Sequence, residues 1–234
     1  MFHGTWQTMS PDLIDIAAIV PVYNNEPTLE ELKDRLVQNL SPYGKFLIVL
    51  IDDASTDGSR RTMERLALEK DYIKVVYHEK NQGQQFAIRT GLFSTEAKFF
   101  VVMDADLQDV PEDIPKMYEC LQATASDAVF ARRKNFYQQR YRMVTSRIYK
   151  FAVYLLSGLP MYTGGFVLFN IAVRDKIRDM NTKGFYIAGL VAKTKLKVST
   201  VNTFRNKRLI GSSSFNFKKR LQMAYANITC LLEK

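Results

Sequence analysis

Over its first 132 residues, this chain alternates short apolar runs with segments of helical pattern, and that alternation restricts the fold more than any other feature. Five apolar runs have the length of buried strands: 16–22, 46–51, 73–77, 99–103 and 128–131. Four segments between them carry apolar residues at helical spacing: 28–40, 58–70, 84–94 and 114–123. Strands separated by helices of this length predict an α/β domain with a mainly parallel sheet and helices on both faces.

Beyond residue 132 the pattern changes to long basic amphipathic helices. These are predicted at Gln138–Leu156 and Phe215–Lys234, with a short strand at Phe166–Phe169 between them. The predicted organisation is a lead-in at 1–15, one domain at 16–214 and a C-terminal amphipathic helix at 215–234. In the helix predicted at 84–94, the residues whose helical spacing places them on one face are Phe86, Ala87, Thr90 and Phe93.

Several classes of protein are excluded by simple features of the sequence. No apolar run approaches the roughly 18 residues that a membrane-spanning helix needs. Met1–Asp15 lacks the basic start and apolar stretch of a secretory signal. Only two cysteines occur, Cys120 and Cys230, so we expect no disulfide framework and a reducing, cytoplasmic environment.

Polar and acidic residues follow three of the predicted strands. Tyr23–Asn25 comes after the first strand, Asp52 and Asp53 after the second, and Asp104–Asp109 after the fourth. Because the carboxyl ends of parallel strands share one edge of the sheet, these residues are expected to lie together where ligands bind. A polar turn that starts the next helix is the alternative for Asp104–Asp109.

Carboxylates at positions 104 and 106 have the spacing to face one hard cation, and Gln108 adds an amide oxygen. Mg²⁺ and Mn²⁺ take oxygen ligands of this kind and complete their coordination with water and phosphate. The second acidic pair, at 52 and 53, favours a metal site over a simple helix start.

Charge is distributed unevenly along the chain, whose net charge is +9. Met1–Asp127 contains 12 Lys and Arg residues and 21 Asp and Glu residues. Ala128–Lys234 contains 21 Lys and Arg residues and only 3 Asp and Glu residues. The acidic part can hold a cation, and the basic part suits an anionic partner such as nucleic acid, a phosphorylated substrate or a membrane leaflet. A solvated basic surface without a partner is the alternative.

Four ordered motifs resemble those of the family-2 glycosyltransferases. They are VPVYNN at Val20–Asn25, DDASTD at Asp52–Asp57, NxGxxxAxxxG at Asn81–Gly91 and DADLQ at Asp104–Gln108. Their order and spacing agree over residues 16–132. The resemblance implies a Rossmann-like GT-A fold that binds a nucleotide-diphosphosugar.

A narrower resemblance is to the polyprenyl-phosphate branch, the dolichyl-phosphate mannosyltransferase-like enzymes. It rests on Asp106–Pro111, Arg132, the basic stretch Arg140–Tyr149, Thr163–Phe166 and Arg208–Phe215. Three positions depart from the branch: Ser214 replaces a lysine, and Gly165 and Val167 stand where Asp or Ser and Arg are usual.

The resemblance implies roles for individual residues in an inverting sugar transfer. The residues expected to bind the nucleotide-sugar are Pro21, Val22, Tyr23, Glu26, Asp52, Asp53, Gly83, Gln84, Asp104, Ala105 and Asp106. The residues expected to bind the metal, Mg²⁺ or Mn²⁺, are Asp104, Asp106 and Gln108. Catalytic roles are expected for Asp104, Asp106, Asp109, Arg132 and Arg208. The residues expected to bind the acceptor phosphate are Arg132, Arg140, Arg208, Ser213 and Lys218.

The acceptor can be argued from charge. A sugar hydroxyl needs a general base within hydrogen-bond reach, whereas a phosphate monoester is already largely ionised at neutral pH. No Asp or Glu occurs from Ala128 to Arg174, and only Asp175, Asp179 and Glu233 follow Asp127. This favours a polyprenyl phosphate, although Asp109, Asp175 or Asp179 could still supply a base. The basic amphipathic helices suit peripheral binding at the cytoplasmic membrane face.

Three alternatives stay open. The first is a soluble glycosyltransferase that adds a sugar to a saccharide hydroxyl in cell-surface polysaccharide synthesis. The second is a nucleic-acid-binding module, which is disfavoured because RNA-binding aromatic signatures and zinc spacing are missing. The third is a catalytically inactive nucleotide-sugar binder, suggested by Ser214, Gly165 and Val167. The sugar, the nucleobase (uracil or guanine) and the oligomeric state are not readable.

Overall fold

The computed structural model describes residues 13–133, 163–182, 184–203 and 229–230. Seven strands occur in this part of the chain: β1 Ile14–Val22, β2 Phe46–Asp52, β3 Ile73–Tyr77, β4 Ala97–Val102, β5 Ala128–Arg133, β6 Thr163–Asn170 and β7 Val198–Thr203. Six α-helices accompany them: α1 Glu26–Leu40, α2 Ser59–Glu69, α3 Gln84–Phe93, α4 Ile114–Thr124, α5 Ile171–Arg178 and α6 Ile187–Lys193. Short 3₁₀ turns occupy Ser41–Tyr43 and Pro111–Asp113.

The strands form one sheet in the order β3-β2-β1-β4-β6-β5-β7. All pairings are parallel except those of β6, which runs antiparallel to both β4 and β5. The predicted mainly parallel sheet is therefore confirmed. Its carboxyl edge collects the ends of six strands and the start of β6.

Helices cover both faces of the sheet, as predicted, and each face has its own apolar core. On one face α1, α2 and α4 bury residues that include Leu32, Met63 and Met117 against Ala18 and Val20 of β1. On the other face α3, α5 and α6 bury Ala87, Val173 and Leu190 against Ala17 and Ile19 of β1. Because β1 is covered on both sides, its sequence is a continuous apolar run rather than an alternating one.

Helix α3 lies unusually close to the sheet. A Cβ atom built on Gly91 would lie 2.5 Å from Cδ1 of Ile51 and 2.8 Å from Cγ2 of Ile19. Glycine is needed at this position because a side chain would force the helix away from β1 and β2. This close contact fixes where the N-terminus of α3 meets the carboxyl edge.

Some predictions concern residues that the structure does not describe. The basic helix predicted at Gln138–Leu156 lies outside the described residues, as does the C-terminal helix at 215–234 apart from Thr229 and Cys230, which are helical. The boundaries predicted at residues 15 and 214 stay predictions. In the described part of the chain, every helix is too short or too polar to cross a membrane.

Candidate active site

Backbone strain marks the carboxyl edge. Asn24, Ala54 and Leu107 have φ angles of 53°, 60° and 55°, in the left-handed region that residues other than glycine seldom adopt. Each lies in the loop that follows β1, β2 or β4. Strained residues of this kind cluster at functional sites, because the surrounding structure must hold them in place.

The loops after β1 and β2 are joined by hydrogen bonds between residues 24–26 and 55–59. Asn24 donates its backbone N–H to Ser55 Oγ at 3.0 Å and accepts the N–H of Thr56 at 2.8 Å. Glu26 and Asp57 then lie across from each other, with the N–H of Glu26 donating to Asp57 Oδ2 at 3.2 Å. The loops after β1 and β2 are therefore held against each other at the carboxyl edge of the sheet.

The starts of α1 and α2 are held by hydrogen bonds between the same two loops. Asp57 Oδ1 accepts the N–H of Ser59, the first residue of α2, at 2.9 Å. Glu26 Oε2 accepts the N–H of Gly58 at 3.1 Å, and Ser59 Oγ accepts the N–H of Asn25 at 2.9 Å. The carboxylate of Glu26, predicted to contact the nucleotide, thus already has a partner in the protein.

Asp52 carries a buried carboxylate that is only half satisfied. Its exposure is 0%, its Oδ1 accepts the N–H of Ser55 at 3.0 Å, and its Oδ2 has no hydrogen-bond partner among the described residues. Leaving a buried polar atom unpaired costs about 1–3 kcal/mol, more when it is charged. A ligand N–H that reaches Asp52 Oδ2 would recover this cost.

Exposed rings lie close to Asp52. Tyr77 is its register partner on β3, is 36% exposed, and has the Arg60 guanidinium 4.4 Å above its ring. Burial raises the pKa of the Tyr77 phenol, and the charges of Glu64 and Asp52 add to the rise. Tyr23, the residue directly after β1, is 44% exposed. Flat surfaces beside a buried acceptor suit a planar ligand such as a nucleobase.

Asp53 has a different role from its neighbour. Its Oδ1 accepts from His78 Nδ1 and from the N–H of Gln82, each at 2.8 Å, and its Oδ2 accepts the N–H of Gly83 at 2.8 Å. The side chain is only 3% exposed. Both carboxylate oxygens of Asp53 thus hold the loop before α3, and the predicted contact of Asp53 with the nucleotide stays a prediction.

The N-terminus of α3 points at the turn after β4. Gln84, the first residue of α3, donates its side-chain amide to Asp104 Oδ1. Gly83 precedes it with a φ of 93°, a conformation that requires glycine. Because the N–H of Gly83 is used by Asp53, a phosphate at this helix end would meet the next amides, those of Gln84 and Gln85.

The turn at residues 104–109 is held from both sides. Asp106 Oδ1 accepts the N–H of Gln108 at 3.1 Å, and Thr28 Oγ1 of α1 donates to the carbonyl of Ala105 at 2.7 Å. Asp104 is half-buried, Asp106 is 9% exposed and Asp109 is 2% exposed. The catalytic role predicted for Asp109 stays a prediction.

The donor set at this turn fits a hard divalent cation with an incomplete protein shell. Asp104 and Asp106 supply two carboxylates, and among the described residues no group of three His, Cys, Asp or Glu could hold a metal. Mg²⁺ is commonly bound by one or two carboxylates, with water and substrate phosphates in the other positions. Gln108, also predicted as a ligand, is half-buried beside them.

Carboxylates just beyond this turn differ in charge environment. Arg35 contacts Glu112 through two hydrogen bonds, of 2.8 Å and 2.6 Å, and lowers its pKa. Burial raises the pKa of Asp113, and the charges of Asp109 and Glu112 add to the rise. Asp113 is therefore the residue here whose pKa shift is in the direction that suits a base.

Other predicted site residues are placed as follows. Pro21 and Val22 are buried, and the Val22 side chain packs in the core, so only its backbone could meet a ligand. Arg132 is exposed near the end of β5, at the same edge as Asp104. The remaining predicted acceptor residues lie outside the described residues: Arg140, Arg208, Ser213 and Lys218.

Two carboxylates considered as bases lie at the wrong end of the sheet. Asp175 and Asp179 belong to α5 and its C-terminal cap, which follow the end of β6. That strand is antiparallel, and its last residue, Asn170, pairs with Phe99 near the start of β4. Neither carboxylate reaches the Asp104 turn.

His78 is a residue of the site region that was not predicted, and Thr90 was predicted only as part of the buried face of α3. His78 is buried directly after β3, with Nδ1 on Asp53 and Nε2 2.9 Å from Thr90 Oγ1. One signal was available: His78 is one of two histidines in the chain and directly follows a predicted strand.

Comparison with known proteins agrees with this architecture. The model of the family described as Glycosyl transferase family 2 matches residues 17–180. The chain is 29% identical over 227 residues to the uncharacterized glycosyltransferase YkcC of Bacillus subtilis (strain 168), covering 94% of this chain and 69% of that protein. It is 26% identical over 223 residues to the undecaprenyl-phosphate 4-deoxy-4-formamido-L-arabinose transferase of Proteus mirabilis (strain HI4320), covering 92% and 67%.

Among solved structures, the mannosyltransferase PcManGT from Pyrobaculum calidifontis, in complex with GDP-Man and Mn²⁺, superposes with a TM-score of 0.65 at 20% identity. The match covers 92% of this chain and 63% of that one. This likeness shows the fold and confirms the predicted GT-A fold, while the second relative confirms the resemblance to the polyprenyl-phosphate branch. The chain spans between 63% and 69% of the length of each of these proteins.

Proposed function

Because the chain belongs to glycosyl transferase family 2, we propose that it moves a sugar from a nucleotide-diphosphosugar to a polyprenyl phosphate, with inversion and with Mg²⁺ or Mn²⁺ as cofactor. The observation that carries the proposal is Oδ2 of buried Asp52, which has no hydrogen-bond partner among the described residues and lies on the same edge as Asp104 and Asp106. A nucleobase N–H at Asp52 and a diphosphate at Asp104 use both features at once.

The spacing of the strands suits a bound nucleotide. Asp52 ends β2 and Asp104 follows β4, with β1 between them. Two strand spacings amount to about 10 Å, the scale of a nucleoside diphosphate from base edge to terminal phosphate. The donor then lies across the ends of these strands, with its base near Tyr23 and Tyr77 and its diphosphate near the N-terminus of α3.

The protein's own residues prepare the leaving-group site. Asp104 and Asp106 would hold the metal, Gln84 orients Asp104, and the N–H of Gln108 orients Asp106. Bound there, the metal would supply Lewis-acid stabilisation of the charge that develops on the departing nucleoside diphosphate. Arg132, exposed at the same edge, adds positive charge for the donor or the acceptor phosphate.

A phosphate acceptor is supported by the position of the carboxylates. Asp175 and Asp179 lie at the opposite edge of the sheet from Asp104. An ionised phosphate needs no base. Its oxygen forms a bond to the anomeric carbon as the bond to the diphosphate breaks, which inverts that carbon. The undecaprenyl-phosphate transferase among the relatives supports the same acceptor class.

A saccharide hydroxyl acceptor, the alternative from the sequence, would need a general base within hydrogen-bond reach. Burial raises the pKa of Asp113, a direction that suits a base, but no described contact places its carboxylate beside Asp104 or Asp106.

A transfer assay separates these possibilities. The full chain is incubated with radiolabelled GDP- and UDP-sugars, Mn²⁺, and vesicles that contain undecaprenyl phosphate, undecaprenol or neither. We expect label in the solvent-extractable lipid only with undecaprenyl phosphate. Equal transfer to undecaprenol, or transfer only to an added oligosaccharide, would support the hydroxyl acceptor. No transfer from any donor would support a catalytically inactive binder.

Peripheral binding at the cytoplasmic membrane face belongs to the same proposal. The residues after Asp127 contain 21 Lys and Arg against 3 Asp and Glu, and each basic residue near an anionic leaflet contributes about 1 kcal/mol. We expect the chain to sediment with anionic vesicles at low salt and to be released by about 0.5 M NaCl, where the Debye length falls below about 5 Å. Equal sedimentation with neutral vesicles would contradict an electrostatic interaction.

A further inference from the structure

A buried histidine–aspartate pair lies behind the proposed donor site. His78 Nδ1 is 2.8 Å from Asp53 Oδ1, and the two side chains are 5% and 3% exposed. His78 is anchored at its backbone as well, because its N–H donates to the carbonyl of Asp52 at 2.9 Å. A buried pair of this kind persists only if its hydrogen bonds are satisfied.

Asp53 uses its carboxylate to shape the loop that leads into α3. It accepts the backbone N–H groups of Gln82 and Gly83, each at 2.8 Å, and its carbonyl accepts Asn81 Nδ2 at 3.2 Å. Three successive residues of one loop are thus bound to one aspartate. Gly83, held in the left-handed region at φ 93°, then turns the chain into α3.

The other ring nitrogen of His78 contacts the helix itself. Nε2 is 2.9 Å from Thr90 Oγ1, which lies on α3 near the close contact at Gly91. His78 Nδ1 forms one hydrogen bond with the Asp53 carboxylate, and Nε2 forms a second with the Thr90 hydroxyl. His78 therefore fixes Asp53 relative to the body of α3.

We propose that His78 is a positioning residue for donor binding. Through Asp53 it holds the Asn81–Gly83 loop in the one geometry from which Gln84 reaches Asp104. This inference rests on the proposed function, because Asp104 and the N-terminus of α3 are assigned there to the donor diphosphate. His78 itself touches neither donor nor metal.

Variants at position 78 separate the hydrogen bond from simple packing. In H78N the amide Nδ2 occupies nearly the place of Nδ1 and keeps a donor toward Asp53. In H78Q the amide extends toward the place of Nε2, and in H78L both polar atoms are lost. T194V is a matched control, because Thr194 is also buried and donates its hydroxyl to a carbonyl, that of Val191, away from the carboxyl edge.

The first measurement needs no ligand. Hydrogen–deuterium exchange of peptides that cover residues 79–86 reports whether the amides of Gln82 and Gly83 remain bound to Asp53. We expect exchange of these amides to be faster by about tenfold or more in H78L and H78Q, and near wild type in H78N and T194V. Unchanged exchange in H78L would overturn the proposal.

The second measurement is calorimetric titration of GDP and of UDP in the presence of Mn²⁺. We expect the Kd to rise by about tenfold in H78L and H78Q, the loss of about 1.4 kcal/mol, and by less than about threefold in H78N. Equal affinities for H78N and H78Q would show that packing, not the bond to Asp53, sets the effect. If H78L does not fold, the comparison of H78N with H78Q still decides.

The two measurements fail separately. If the wild-type chain binds neither GDP nor UDP with Mn²⁺, the proposed function is contradicted, and the exchange data alone decide whether His78 holds the loop. If wild type binds one of them and all position-78 variants bind it equally well, the proposed function stands and the positioning role is wrong.

Discussion

Ser55 donates its backbone N–H to Asp52 Oδ1 at 3.0 Å, on the side of the carboxylate opposite the unpartnered Oδ2. One oxygen of Asp52 is thus bound within the fold, whereas the other has no hydrogen-bond partner among the described residues. This division separates Asp52 from Asp53, both of whose carboxylate oxygens accept hydrogen bonds from the protein.

The Asp52→Asn variant tests that division. Its amide oxygen can keep the bond to Ser55, while its NH₂ group replaces the acceptor that a nucleobase N–H would meet. We expect the donor KM to rise by about 10–100-fold, because hydrogen bonds to charged groups contribute about 1.5–3 kcal/mol, with little change in kcat. Asp71→Asn, at an exposed position before β3, is the control and should change neither constant. A normal KM in Asp52→Asn would remove the base-binding role.

The metal role of the turn after β4 is tested by Asp106→Ala. Loss of one of two carboxylates should lower Mn²⁺-dependent turnover by at least about a hundredfold, because the charge on the leaving group is no longer stabilised. The melting temperature without ligand is measured as well, because it reports whether the fold tolerates loss of the bond from the Gln108 N–H to Asp106 Oδ1. Asp34→Ala, at an exposed position on α1, serves as control. Full turnover in Asp106→Ala would end the metal assignment.

Gly91→Ala tests the close approach of α3 to the sheet. The added Cβ would overlap Ile51 and Ile19, and overpacking of this kind costs about 1–3 kcal/mol. For a chain of this size each kcal/mol lowers the melting temperature by about 2–4 °C. Gly165→Ala is the matched control, because no atom of the described residues lies within 4 Å of a Cβ built there. Equal melting temperatures for the two variants would contradict the packing argument.

Glu96 predicts a pH dependence of stability. Arg174, which is buried, and Arg178 hold the pKa of Glu96 at about 2 instead of its ordinary 4.5. A lowered folded-state pKa stabilises the protein above about 4.5, and this stabilisation is lost as the pH falls from there through about 2. Because the Glu96 side chain is 56% exposed, solvent screens the pair and the effect is modest.

The measurement is thermal unfolding of wild type and Glu96→Gln from pH 7 to pH 2. Wild type should melt higher at pH 7, and the difference should disappear by about pH 2. Glu119→Gln, at an exposed position on α4, should show no such pH-dependent difference. A difference for Glu96→Gln that stays constant with pH would show that the ion pair does not cause it.

The strands and helices up to residue 133 could be predicted to within two residues, because each buries a clear apolar run or stripe. Three later elements were not predicted. Helix α6 has seven residues that are almost all buried, so it shows no polar face, and β7 mixes two valines with Ser, Thr and Asn. For α5 a signal existed, since the side chain of Asn170 accepts the N–H of Val173 as an N-terminal cap.

The buried face of α3 was predicted only in part, since Ala87 is buried and Phe93 packs against the core. Spacing alone favoured Phe86, Thr90 and Phe93 together with Ala87, whereas the buried residues are Ala87, Ile88, Gly91 and Leu92. Gly91 explains the difference, because a glycine that lets the helix touch β1 and β2 turns its own side inward. A prediction from hydrophobic spacing identifies the buried face by its large apolar side chains, so it does not identify a face that is buried because a glycine lets two backbones come close.

At the site, sequence placed Asp52, Asp104 and Asp106 at one edge, and the parallel sheet does bring those strand ends together. The sequence could not show that Asp52 and Asp53 have different hydrogen-bond partners. Their partners come from Ser55 and from a loop about 30 residues further along the chain, so only the folded loop assigns them.

The most direct test of the donor site is a crystal structure of the chain with Mn²⁺ and the GDP- or UDP-sugar that it binds. We expect an ion in contact with carboxylate oxygens of Asp104 and Asp106 and with the diphosphate, and a nucleobase N–H on Asp52 Oδ2. An ion and nucleotide bound away from the carboxyl edge, or a base that leaves Asp52 untouched, would contradict the account.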